Sequence, residues 1–236
     1  ACVGSGGSLV DLGQRIADLG LVVPNVIGFF EWAVDDASRR EAGLVEAERN
    51  MVMCAQIGCP QLAAPPFGAT DVRIGLDRLS ERYAVLLELG SSKGVVPMLE
   101  FWGIAETLGT LGEAVHVAMD TGHRDACVLA DVHHMYKGGS PHYRLRLAGP
   151  ETLGLVHVND YPPDPPREES TDADRVFPGD GVAPLAQILG DLAHAGYRGM
   201  LSLELFNESI WQQDAMTAVK MGLEKMQRAV AGREVI

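Results

Sequence analysis

Four polar side chains stand where short apolar runs end: Glu100 in PMLEFWG, Asp131 in LADVHH, His157 in LVHVND and Glu204 in LSLELF. A carboxylate after an apolar run is costly to bury unless it is paired or bound to a cation. Taken singly, each is explained as a salt-bridged carboxylate or a satisfied core histidine. Three carboxylates and one imidazole, each closing a successive run, point instead to one shared ion. Three oxygen donors and one nitrogen donor suit a single divalent cation such as Mn²⁺, Mg²⁺ or Co²⁺, with Zn²⁺ a further option.

The runs that carry these residues alternate with amphipathic stretches. They are 21–30, 59–66, 94–102, 126–132, 153–160 and 199–206, brief and mostly bounded by Gly, Pro or Asp. Such runs read as strands buried on both faces of a parallel sheet. Between them, Val72, Leu76, Leu79, Tyr83 and Leu86 recur at helical spacing, as do Met216, Val219, Leu223, Met226 and Val230. Gly58, Gly94 and Gly196 fall just past helical stretches. Strand–helix alternation implies right-handed βαβ units, hence an α/β parallel barrel of TIM type as one domain over residues 1–236. In that architecture the strand ends converge on the active site.

Only six strands are legible, whereas a (β/α)8 barrel has eight. The chain opens in a helix-like segment, SLVDLGQRIADLG, so the first two strands are the ones lacking. The expectation is an open six-stranded parallel array with two edges, covered either by strands encoded upstream or by another subunit. GSGGS (4–8) reads as a flexible tract. The long irregular stretch 161–181 exceeds a plain connection, and loops of this size are often functional.

Composition narrows the partners. The net charge is −13 with no compensating Lys/Arg cluster, which argues against nucleic acid. No apolar run would span a bilayer, and the N-terminal residues do not read as a secretory signal. Cys2, Cys54, Cys59 and Cys127 form no CxxC pair and read as reduced thiols of a cytoplasmic protein.

The segments PMLEFWG, LADVHHMYKGGS, LVHVNDYP, DADRVFPGDG and GYRGMLSLELFN, in that order, resemble the xylose-isomerase-like TIM-barrel superfamily, most closely its inosose (2-keto-myo-inositol) isomerase branch. The likeness covers most of the chain from about residue 94. It implies that Glu100, Asp131, His157 and Glu204 are the metal ligands and that the two glutamates transfer protons. It further implies that His134 and Arg175 contact substrate, and that the protein forms a homodimer. Strand alternation alone would choose His133 over His134, whereas the family motif places the contact at His134. Trp102 either walls the pocket or packs.

The implied reaction moves a proton at a carbon beside a ketone of a small sugar or polyol, giving an isomer or an epimer according to where the proton returns. A dehydratase of the same superfamily could use the same ion and base and expel water. A non-catalytic truncated barrel acting as a binding subunit is the remaining alternative, and the acidic charge speaks against a related DNA-repair nuclease. Asn159 and Asp160 are placed to orient His157. Lys137, Gly138 and Gly139 form either an anion-binding turn or an ordinary helix-end turn.

Overall fold

A computed structural model describes residues 7–233. Cys2 and residues 4–6 of the glycine-rich tract lie outside them. The strands are β1 (Val26–Ile27), β2 (Gln61–Ala64), β3 (Val96–Glu100), β4 (Val128–Asp131), β5 (Leu153–Val158) and β6 (Leu201–Leu203). They alternate with α1 (Leu9–Asp18), α2 (Ala37–Ile57), α3 (Leu76–Lys93), α4 (Leu111–Asp120), the short α5 (Val132–Lys137) and α6 (Leu185–His194). After β6 come α7 (Glu208–Trp211) and α8 (Ala215–Ala231).

All five strand pairings are parallel and follow chain order, β1 to β6. This is the open six-stranded half-barrel that the apolar runs imply. The strands are shorter than those runs, because the Gly and Pro residues at their ends take the chain into loops.

Local chemistry fixes the helix ends. Ser8, Asp36 and Asp214 accept backbone N–H bonds at the starts of α1, α2 and α8, and Thr110 with Glu113 forms a capping box on α4. Gly58 ends α2 in the left-handed conformation at φ 75°. There the Gly58 and Cys59 amides donate to the Ala55 and Cys54 carbonyls. This double bond pattern brings the side chains of Cys54 and Cys59 together, and both thiols are free and buried.

Two apolar layers flank the sheet. The larger lies between sheet and helices and includes Leu62, Leu99, Val128, Val156, Tyr83 and Leu86. The smaller, Ala63, Met98, Cys127, Leu129 and Leu155, fills the inner face. Alternation along β5 is reset at Gly154. Val128 pairs with Leu153 but Leu129 pairs with Leu155, so Gly154 is an extra residue in the strand. A Cβ there would meet Met98 Sδ at 2.5 Å. The reset puts Leu153 in the outer layer and Leu155 in the inner one.

Two helical expectations change. Val72 precedes α3 and is exposed, since its helix begins only at Leu76. On α8, Met226 and Val230 pack on the core, but Met216, Val219 and Leu223 are exposed. The cause is position: α8 contacts the sheet through Gly222 against Leu203, and among the described residues no strand lies beyond β6 to cover the rest. No helix among the described residues is long and apolar enough to cross a membrane.

Candidate active site

The inner apolar layer sets the positions of the polar residues above it. Residues two apart on a strand share a face. Glu100 therefore follows Met98, Asp131 follows Leu129 and His157 follows Leu155, all facing inward. Asp131 and His157 are direct register partners. His157 also pairs with Ser202, and Glu204 follows two residues later, just past β6.

The structure brings Asp131, His157 and Glu204 together, with one ligand atom from each within 4.8 Å of the others. His157 Nδ1 lies 3.2 Å from Glu204 Oε2 and 3.7 Å from Asp131 Oδ2. Glu100 stands outside this trio but lines the same cavity as Glu204, Trp102, His134 and Arg175. Its Oε2 is buried without a hydrogen-bond partner, as is His157 Nδ1. A buried carboxylate oxygen and an imidazole nitrogen without partners, facing further carboxylates, fit a cation, which their lone pairs would satisfy. Asp131 also forms a buried group with His133 and His134.

Burial and charge pull these groups apart in acidity. Burial, reinforced by Glu204 and Asp131, pushes Glu100 up to about 8. Burial acts the same way on Asp131 but is outweighed by Arg175, His134 and His157, and its pKa falls to about 2. Burial alone would lower the His157 pKa, yet Glu204, Asp131 and Glu100 hold it above the usual histidine value. Environment thus favours the protonated form of Glu100 and the ionised form of Asp131 in the same site.

Arg175 is fully buried and ties the site together. Its Nη1 donates to Asp131 Oδ2 at 3.1 Å and to Glu204 Oε2 at 2.5 Å, and its Nη2 donates to Asp172 Oδ1 at 2.6 Å. Nη2 also lies 3.3 Å from His134 Nε2. A guanidinium has no acceptor, so Nε2 must accept, which leaves the His134 proton on Nδ1. That Nδ1 is buried and unpartnered, and burial lowers the His134 pKa.

The neighbouring polar residues divide their roles. His133 bonds Ser170 Oγ at 3.0 Å and faces Asp172, so His134 is the one in the cavity. Alternation fails as a guide here because α5 begins at Val132. Asn159 Nδ2 donates to Asp131 Oδ2 at 2.9 Å, orienting the aspartate rather than the histidine. Asp160 accepts from the backbone of Tyr161, Gly179 and Ala183 and anchors the loop. The Lys137 ammonium is tied to the carbonyls of Arg167 and Glu168. Ser170 and Asp172 were not singled out from the sequence, because in a polar loop nothing in their spacing distinguishes them.

The chain is similar to two curated proteins named inosose isomerase. The one from Halalkalibacterium halodurans is 29% identical over 191 residues, covering 79% of this chain and 67% of that protein. The one from Bacillus velezensis is 26% identical over 231 residues, covering 95% and 81%. Among solved structures, an IolI protein with a bound zinc atom superposes with a TM-score of 0.88 at 22% identity, over 97% of this chain and 84% of that one. An L-ribulose 3-epimerase superposes with a TM-score of 0.78 at 22% identity, over 94% and 80%. At that identity the structural likenesses speak to the fold. The family model described as xylose isomerase-like TIM barrel matches residues 5–229, and the chain belongs to that family.

Proposed function

We propose that this protein is a divalent-metal-dependent isomerase or epimerase of a ketose, inosose or related small polyol. The observation that carries the reading is the meeting of Asp131, His157 and Glu204 beside the buried, unpartnered carboxyl of Glu100. The names of the similar inosose isomerases support it.

Asp131, His157 and Glu204, with Glu100 facing them, would hold the ion. When bound, a divalent cation supplies Lewis-acid polarisation of the substrate carbonyl. Glu100 and Glu204 line one cavity and are the proton-moving groups. One carboxylate takes the proton from the carbon beside the ketone. Return by the other to the opposite face gives an epimer, and return to the neighbouring carbon gives an isomer. A positioned acid–base group contributes roughly 10²–10⁴-fold. The unpartnered Nδ1–H of His134 is a donor for a substrate oxygen. Arg175 keeps Asp131 and Glu204 in place, and Trp102 walls the cavity.

The test is incubation with Mn²⁺, Co²⁺, Mg²⁺ or Zn²⁺ and a panel of ketoses and inososes in D₂O, followed by NMR and mass spectrometry. Solvent deuterium entering the carbon beside the carbonyl, with the carbon skeleton and its oxygens retained, is the expected result. Loss of water would assign a dehydratase. No exchange with any substrate and any metal would refute the reading.

A further inference from the structure

We infer that the protein has a second ligand pocket, behind α5 from the candidate active site, that takes a small aromatic hydroxycarboxylate. The inference is independent of the proposed metal centre, because none of that centre's residues lines this pocket.

The pocket lies where α5, the turn 138–141, the loop after β5 and the start of α6 meet. Its volume is about 260 Å³, against about 160 Å³ for the candidate active site. The helix α5 serves both: His134 faces the candidate active site, whereas Met135 and Tyr136 face this pocket. Most of the wall is apolar, with Met135 and Ile188 beside Tyr136 and Tyr161. The two tyrosine rings stack with centroids 3.8 Å apart and planes 11° from parallel. This makes a flat, rigid wall, and a planar apolar ring covers such a wall best.

Two polar groups set what that ring must carry. Arg167 lies against Gly139, where a Cβ would stand 3.1 Å from its Nη1. Its Nε and Nη2 donate to Glu168 Oε1 at 3.1 and 2.9 Å, and this pair does not use Nη1. The Glu168 side chain is 70% exposed, so water already competes for the pair and a ligand carboxylate can take its place. His142 Nδ1 lies 2.9 Å from Oδ2 of the fully buried Asp191. An ionised carboxylate only accepts, so Nδ1 carries the proton, and in the neutral ring Nε2 is then an acceptor. A ligand hydroxyl matches it. The neighbouring acids are engaged elsewhere: Asp191 also pairs with Arg146, and Asp160 accepts from three backbone amides. Residues 132–150, which form one side of the pocket, include Lys137, Arg144 and Arg146 and no Asp or Glu. A single negative charge on the ligand is therefore favoured here, although the whole chain is acidic.

The experiment is a saturation-transfer NMR titration with meta- and para-hydroxybenzoate, with and without Mn²⁺, repeated for Arg167→Gln and Glu204→Gln. Benzoate and the two hydroxybenzamides are the comparison ligands. The tighter hydroxybenzoate should bind with Kd below roughly 1 mM. Its amide should bind at least ~tenfold more weakly, and benzoate roughly threefold more weakly. Arg167→Gln should weaken the acid roughly fivefold to tenfold, while Glu204→Gln and the presence of Mn²⁺ leave it unchanged. Equal binding of acid and amide, or wild-type affinity in Arg167→Gln, overturns the inference. So does affinity that requires Mn²⁺ or is lost in Glu204→Gln, which would place the ligand in the candidate active site. No binding of either hydroxybenzoate overturns it as well and leaves the proposed function standing.

Discussion

Replacing Glu100 by Gln removes an ionisable group while keeping its size, and the consequence can be worked out from burial. An exposed glutamate titrates near 4.5, whereas in the fold this one titrates at about 8. Between those values the folded protein holds a proton that the unfolded chain has released. Stability therefore falls as pH rises from about 4.5 towards 8 and levels off above it. The slope approaches ~1.36 kcal/mol per pH unit. Integrated from pH 6 to pH 8, the wild type loses ~2 kcal/mol relative to the Gln variant, which has nothing to titrate there. At ~2–4 °C per kcal/mol for a chain of this size, the Tm gap between the two should widen by about 4–8 °C.

The assay is thermal unfolding by circular dichroism in EDTA at pH 6, 7 and 8. The variant should gain on the wild type at each step. Adding saturating Mn²⁺ should narrow the gap or reverse it, because Asp131, His157 and Glu204 hold the ion in both proteins but only the wild type adds the Glu100 carboxylate, and a ligand bound at a hundredfold excess over Kd stabilises by ~2.7 kcal/mol. A Tm gap that does not change between pH 6 and pH 8 in EDTA would show that Glu100 is already ionised in the fold. The reasoning from its burial would then be wrong.

Arg175→Met should cost ~3–5 kcal/mol in urea unfolding without metal, because Asp131 and Glu204 are left as unpaired buried charges; a wild-type midpoint would refute that pairing. His157→Ala should weaken Mn²⁺ binding at least ~10-fold by calorimetry, and unchanged affinity would remove it from the ligand set. Asp191→Ala should destabilise by less, ~1–2 kcal/mol, since the buried carboxylate's bonds to His142 and Arg146 are lost but those partners are part-exposed and can be solvated; Mn²⁺ affinity at low temperature should not change, as these residues stand apart from the cavity. Diamide, a thiol oxidant, should join Cys54 to Cys59 with loss of two hydrogens by mass spectrometry and leave Cys127 as a thiol, the outcome expected of side chains that share the end of α2.

The architecture was readable because parallel strands advertise themselves as short apolar runs, and six of them stood between helical patterns. The inward direction of Glu100, Asp131 and Glu204 was readable for the same reason: each follows apolar residues at a strand end. The bulge at Gly154 was not, because a glycine in an apolar run carries no mark of whether it pairs or is extra. Without the bulge, counting along β5 from Leu153 would give the same parity for His157 but set Leu153 on the wrong face. The engagement of Arg175 by three carboxylates was equally hidden. It depends on a polar loop folding back over the strand ends, and that path is fixed by Asp160 gripping distant backbone amides rather than by any local pattern. On α8 helical spacing shows an apolar face without showing whether a partner lies opposite it, so exposed Met216, Val219 and Leu223 carry the same pattern as packed Met226 and Val230.

Asp131 and His157 are rung partners between adjacent strands. Two donor groups of the candidate centre are therefore spaced by the ladder of main-chain bonds itself, with no loop or flexible arm setting the distance. Slippage of β5 by one position would turn the imidazole to the helical side and bring a valine inward, emptying the centre and exposing the wrong layer at once. The spacing of these two donors is thus decided when β4 and β5 align.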